Sequence, residues 1–328
     1  MNKKSIIIKT SILIAVAIII ALMPACNNGS KSEGNGKDSL TGTISISGAF
    51  ALYPVTIKWA DEYMKIHPNV TINISAGGAG KGMTDALSEM VDLGMFSKEV
   101  SPEEKNKGAW WISVTKDAVL ATVNVKNPEI QTIRTKGLTM EKFYDIFITG
   151  KITKWGAALD TKGKDAINVY SRSDACGAAE MWAKFLNNKK QEDLQGIGVN
   201  GDPGVADAVK KDLLGIGFNN IAYVYDVNSR QKYEGMEVVP IDINKNGMID
   251  SVEMVYNGLD DITAAIKDGR YPSPPARELF FVSHGAPKSP LVRDFIKWVL
   301  TDGQKFVTEA GYVLLPEEII TKELEKLK

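Results

Sequence analysis

Twice between Thr43 and Phe96 an alternating apolar strand runs through a turn of small residues into an amphipathic helix, and the same succession returns around Ser171. In the first unit Thr43–Ser47 is the strand and Gly48-Ala49-Phe50-Ala51 the turn. Pro54 suits the first turn of the helix that follows, with an apolar stripe of Val55, Trp59, Tyr63 and Ile66 ended by His67-Pro68-Asn69. In the second unit Val70–Ser75 is the strand, Ala76–Gly82 a glycine-rich turn, and Met83, Ala86, Leu87 and Met90 the buried helical face. Val91–Phe96 follows as a strand closed by Ser97-Lys98-Glu99. In the third, Ile167–Tyr170 leads through Ser171–Ala178 into a helix whose Ala178, Met181, Trp182, Phe185 and Leu186 share one face. Such alternation of strand and helix is that of an α/β fold.

Each small-residue turn ends at a helix start, where free N–H groups and the positive end of the helix dipole attract anions. The Ser171–Ala178 loop adds Arg172, a fixed cation with a fork of donors, and Asp174, two residues on, is placed to hold it. Taken alone, this stretch fits either an oxyanion-binding loop or an ordinary strand-to-helix turn with a surface Arg–Asp pair. Nucleotide readings of the glycine-rich turn fail. A P-loop needs Ser or Thr after its Gly-Lys, but Lys81 is followed by Gly82. A dinucleotide fingerprint wants an acidic residue about 20 positions on, which neither Asp92 nor Glu99 supplies well. A net charge of −1 gives no basic excess for nucleic acid.

The N-terminus reads as an export signal over residues 1–25: Lys3 and Lys4, an apolar run Ser11–Leu22, then Met23-Pro24-Ala25-Cys26. The run is shorter than the roughly 20 residues needed to cross a bilayer. Residues 26–40 are polar and read as a flexible tether. The mature chain is expected outside the cytoplasm, in the periplasm or at the cell surface. The pattern resembles a bacterial lipoprotein signal, which implies that Cys26 is acylated; Cys176 is then the one cysteine left and no internal disulfide is expected. A plain secretory signal with an incidental cysteine is the other reading.

Further along, Ala118–Val125 reads as a long strand, Leu138–Phe147 as a helix opened by Thr139, Gly201–Gly204 as a turn and Val205–Lys210 as a short helix. Leu291, Phe295, Trp298 and Val299 mark a C-terminal helix running on through Phe306, and Glu317–Lys328 a short charged one. Asp242–Glu253 carries a calcium-loop pattern: Asp242, Asn244, Asn246, Asp250 and Glu253 at positions 1, 3, 5, 9 and 12, Gly247 at 6 and the Met248 carbonyl at 7. The segment before it, Met236–Pro240, reads as a strand, so the loop is expected to bind Ca2+ as a lone structural site. The alternative is an acidic Asn/Gly-rich turn.

In this order, Ser47–Pro54, Gly77–Gly82, Val91–Lys98, Leu138–Trp155, Ser171–Ala178, Gly217–Tyr225 and Tyr271–Val313 resemble the phosphate-binding proteins of bacterial and archaeal ABC transporters, of the type II periplasmic-binding-protein class. The Met-Pro-Ala-Cys stretch likewise resembles a lipoprotein signal, in which Cys26 is acylated and tethers the chain to a bacterial membrane. The first resemblance implies two α/β lobes joined by two crossing strands, with lobe one over 41–122 and 283–328 and lobe two over 123–282, carrying the calcium-type loop. It implies a monomer that closes on phosphate or a similar oxyanion between the lobes and presents it to an ABC permease. The ligand positions it implies are Ala49, Phe50, Ala51, Ala79, Gly80, Ser97, Arg172, Asp174, Cys176, Gly177 and Ala178. The chain departs from the family where Ala49, Phe50, Ala51, Ala79, Cys176 and Ala178 stand at positions that normally include ligand hydroxyls. Hydrogen bonds to a charged partner contribute about 1.5–3 kcal/mol each, so the same fold could serve an exported binding or sensing module for a larger or less charged anion. An enzyme is not expected: Cys176 as a nucleophile needs a base, and His67 and His284 both read as surface residues.

Overall fold

The structure, a computed structural model, describes residues 40–328. The export signal, Cys26 and the tether up to residue 39 lie outside the described residues. Nine strands form one sheet: β1 (Gly42–Gly48), β2 (Val70–Ala76), β3 (Leu93–Phe96), β4 (Ala109–Asn124), β5 (Asn168–Arg172), β6 (Ile197–Val199), β7 (Gly215–Asn220), β8 (Met236–Val238) and β9 (Ala276–His284). The order is β2-β1-β3-β9-β4-β7-β5-β6, with β8 pairing β4. The flanks are parallel, β1 with β2 and β3 and β5 with β6 and β7, each fed by strand–helix connections. The centre is the antiparallel β4–β9 ladder, from Ala109 opposite His284 to Ala118 opposite Ala276, with a register shift between Ser113 and Thr115.

Two hydrophobic cores lie along this sheet. One gathers Ile44, Trp59, Phe96, Ile112 and Val114 with Leu279, Phe281, Phe295 and Val299. The other gathers Ala118–Ala121, Phe143, Trp155, Trp182, Phe218 and Ile262 with Ala276. The change falls within both central strands, between Val114 and Ala118 on β4 and between Ala276 and Leu279 on β9. These two strands therefore cross from one lobe to the other.

The helices start where the turns place them: Tyr53–Ile66 with Pro54 in its first turn, Ala79–Leu87 after Gly78, and Gly177–Phe185 after Cys176. Several expectations are corrected. Ile66 is 52% exposed because it is the last residue of its helix, and Met90 is 74% exposed because that helix ends at Leu87. The expected turn at Gly201–Gly204 is the opening of a helix spanning Gly201–Lys211. The C-terminal helix stops at Leu300, and a 3-10 turn, Asp302–Gln304, precedes a separate short helix Lys305–Glu309. That break lets the Gly303 carbonyl accept from Trp59 Nε1 at 2.9 Å. No helix among the described residues is long and apolar enough to cross a membrane.

Candidate functional site

Arg172 ends β5, and its side chain is fully buried. Its Nε and Nη2 donate to the two carboxylate oxygens of Asp174 at 2.8 and 2.6 Å. Its Nη1 donates to Asp202 Oδ2 at 2.6 Å. Three of the five guanidinium N–H donors are thus used and two remain. The Phe50 ring covers the group, its centroid 5.6 Å from Cζ. Burial alone would lower the Arg172 pKa, but the adjoining carboxylates, Asp202 foremost, raise it. Burial likewise opposes ionisation of Asp174, and its hydrogen bonds from Arg172 and the Gly201 N–H outweigh this and hold its pKa below the usual value. The cluster is one cation held between two anions.

Asp202 is the residue that the sequence reading missed. It is fully buried in the first turn of the Gly201–Lys211 helix, and its Oδ1 accepts the Asn220 N–H at 2.9 Å. Asn219 Nδ2 donates to its carbonyl, and Thr122 Oγ1 on β4 donates to Asn219 Oδ1. Asn220 Oδ1 accepts from Arg277 Nη2, and Arg277 Nε donates to Asp117 across the β4–β9 ladder at 2.9 Å. A buried polar chain therefore links the crossing strands to Arg172. Burial pushes Asp117 up to about 6 even with Arg277 beside it.

The helix that follows Arg172 offers donors. Gly177 and Ala178, its first residues, have no intrahelical acceptor for their N–H groups, and Ala179 gives its N–H to Cys176 Sγ at 3.3 Å. Lobe one closes against this start. A Cβ on Gly177 would lie 2.2 Å from the Ser97 carbonyl oxygen and 2.3 Å from Ser97 Oγ, so only glycine lets Ser97 approach. Gly80 N–H donates to the Ala175 carbonyl at 3.0 Å, and Tyr223 Oη donates to the Phe50 carbonyl at 3.2 Å. Lys184 bridges to Glu99 at 2.9 Å.

Phe50, Gly80, Ser97, Arg172, Asp174, Cys176 and Gly177 are thus brought to one place across the cleft, with Ala178 beside Gly177 at the helix start. Ala49, Ala51 and Ala79 are buried beneath the two lobe-one turns. Ala49 gives its N–H to the Met95 carbonyl. Lys81 does not supply free charge, since it pairs with Asp85, which also accepts from Ser47 Oγ. Lys98 stands over the Phe96 ring at 5.9 Å. Cys176 is a buried helix cap whose thiol burial pushes up to about 12, a poor nucleophile. His284 Nδ1 meets Glu89 at 2.8 Å, and His67 packs on Tyr63.

Two cores, paired crossing strands and a closed seam with a buried arginine at a helix start define a two-lobe, type II periplasmic-binding-protein fold. The chain belongs to the PBP superfamily, whose domain profile matches residues 33–303. Protein SphX of Synechococcus elongatus is 26% identical over 294 residues, covering 87% of this chain and 81% of that protein. The phosphate-binding protein PstS of Methanocaldococcus jannaschii is 26% identical over 362 residues, covering 94% and 91%. A Clostridium perfringens protein solved with bound phosphate superposes with a TM-score of 0.67 at 23% identity, over 84% of this chain and 100% of that one. An ABC-type phosphate transport receptor from Vibrio cholerae gives a TM-score of 0.59 at 19% identity, over 83% and 100%. The two structures carry the fold, and the Methanocaldococcus jannaschii relative is named as a phosphate-binding protein.

Proposed function

We propose that this chain is the extracytoplasmic solute-binding component of an ABC importer and takes an oxyanion, phosphate foremost, between its lobes. The observation that carries the reading is the buried Arg172 beside the Gly177 helix start, against Ser97 of the other lobe. The relatives named as phosphate-binding proteins support the choice of phosphate. Calorimetric titration of residues 40–328 with inorganic phosphate, and with sulfate as control, tests it. Saturable heat with phosphate is expected, and no heat at millimolar phosphate would reject phosphate as the ligand.

One observation favours the second reading, a binding or sensing module for a larger or less charged anion. Arg172 with Asp174 and Asp202 sums to −1, so the fixed side-chain charge of the site repels a second negative charge. A monoanion or protonated form then binds better than a dianion, and affinity falls as pH rises through the ligand's own second pKa.

In the same proposal Cys26 carries the lipid anchor, the permease reads the closed monomer, and Asp242–Glu253 holds Ca2+ as a structural ion. The donor chemistry of that loop fits. Asp242 and Glu253 are buried, and among the described residues neither they nor Asp250 meet a Lys or Arg. Asp242 accepts the N–H groups of Asn246 and Gly247, and Glu253 those of Ile243 and Asn244, with Gly247 at φ +82° making the turn. No group of three or more His, Cys, Asp or Glu is gathered as a metal centre among the described residues. Asn244, Asn246 and the Met248 carbonyl would complete the oxygen set.

A further inference from the structure

Beside the Arg172 cluster, on the far side of the Phe50 ring, lies a cavity of about 940 Å³ between the lobes. Phe50, Tyr53 and Ile57 line it from lobe one, and Lys210, Tyr223 and Tyr233 from lobe two. Its size falls in the range of roughly 300–1,000 Å³ typical of sites that enclose whole organic ligands. A bare oxyanion, held by helix-start donors and one guanidinium, has no use for it.

The chamber and the anion loop share a wall. Phe50 covers the Arg172 guanidinium on one side and meets Tyr223 edge-on at 6.5 Å on the other. Pro203, the neighbour of Asp202, also lines the chamber. Its charges are mostly settled within the protein: Lys58 pairs with Glu62 and Glu309, and Asp207 with Lys211. Lys210 is the exception, since among the described residues it meets no carboxylate and stands over the Tyr233 ring at 5.1 Å. The chamber therefore offers aromatic faces and one cation with spare donors. The first turn, Gly48-Ala49-Phe50-Ala51, presents a ring to this space and no hydroxyl to the anion.

We infer that the site takes an organic oxyanion, its anionic head at Arg172 and the Gly177 helix start and its apolar or aromatic substituent in the Phe50–Tyr223–Tyr233 chamber, with Phe50 as the wall the two share. This rests on the oxyanion reading above. Aromatic and apolar walls favour the substituent by burial and ring contacts. Lys210 is placed to meet a polar group at its far end.

Three probes test this by calorimetry on residues 40–328: inorganic phosphate, methylphosphonate and phenylphosphonate. The two phosphonates carry the same head and differ in what the chamber receives. Phenylphosphonate is expected to bind at least tenfold more tightly than methylphosphonate. Ile57→Trp, which fills the chamber from the lobe-one helix, is expected to abolish that advantage and leave methylphosphonate binding unchanged. Tyr233→Ala, which removes one aromatic wall without adding bulk, should reduce the advantage severalfold and guards against a folding failure of the first variant. Phenylphosphonate binding no tighter than methylphosphonate, or an advantage that survives both variants, overturns the inference. If phosphate binds and phenylphosphonate does not, the chamber reading alone falls. If none of the three binds, the oxyanion reading falls with it.

Discussion

Replacing Asp202 with Asn changes the charge of the site while keeping its shape. The carboxylate is fully buried, donates nothing, and accepts from Arg172 Nη1 at 2.6 Å and the Asn220 N–H at 2.9 Å. Asn can keep one of these with its oxygen. The local sum over Arg172, Asp174 and Asp202 rises from −1 to 0. An anion on the free edge of the guanidinium would sit about 7 Å from Asp202, where two unit charges interact by about 2.4 kcal/mol at an effective dielectric of about 20. Removing that repulsion should tighten a monoanion by about fiftyfold, and a dianion by more. The variant loses a buried charge-assisted hydrogen bond, so stability should fall by about 1.5–3 kcal/mol, moderated by the bidentate Asp174 that remains. Calorimetry with inorganic phosphate at fixed pH and ionic strength reads the first effect, and thermal unfolding without ligand the second. Unchanged or weakened affinity in a folded variant would refute the charge argument and make Asp202 a residue that only orients Arg172.

Three other outcomes follow from buried groups. Burial holds Asp117 at about 6, above its ordinary 3.8, so the folded state binds a proton that the unfolded chain releases; the cost of ionising Asp117 is fully present above pH 6 and absent below about 4. Its contribution to stability should therefore grow by about 1–1.5 kcal/mol between pH 7 and pH 5, and the difference between the wild-type and Asp117→Asn unfolding profiles should show this in denaturant titrations. Calcium should raise the unfolding temperature and bind with a measurable stoichiometry near one, and Glu253→Gln should remove both effects; an unchanged melting curve with and without chelator would leave the loop a plain turn. Cys176 should resist alkylation at pH 8 in the folded state and react on unfolding, because burial pushes its thiol up to about 12; rapid modification of the native protein would contradict its role as a helix cap.

What could be read from the sequence was local. The loop Ser171–Ala178 shows itself because strand, turn and helical face follow one another within a few residues, and Asp174 lies two positions from the arginine it holds. Asp202 did not show itself, because its partner is 30 residues away and Asp202-Pro203-Gly204 has turn composition. The signal was there in Val205, Ala206 and Val209, the buried face of a helix that begins earlier, with Pro203 in the first turn, where it is tolerated. The length of β4 was hidden in the same way. Lys116-Asp117 looks like a break in an apolar run, and it is Arg277 on β9 that lets Asp117 stay inside a 16-residue strand. Lys81, beside the glycine-rich turn, is paired with Asp85, four residues on within the same helix. The chamber had no linear trace at all, since its walls come from segments of both lobes far apart in the sequence.

The central claim is that the Arg172 loop seats the anion. A crystal structure of residues 40–328 grown with inorganic phosphate, read in an anomalous or difference map at the cleft, tests it directly. The account predicts a tetrahedral anion within hydrogen-bond distance of the Arg172 guanidinium and the N–H groups of Gly177 and Ala178, with Ser97 closing from the other lobe. An anion bound elsewhere, with Arg172 still engaged only by Asp174 and Asp202, would contradict it.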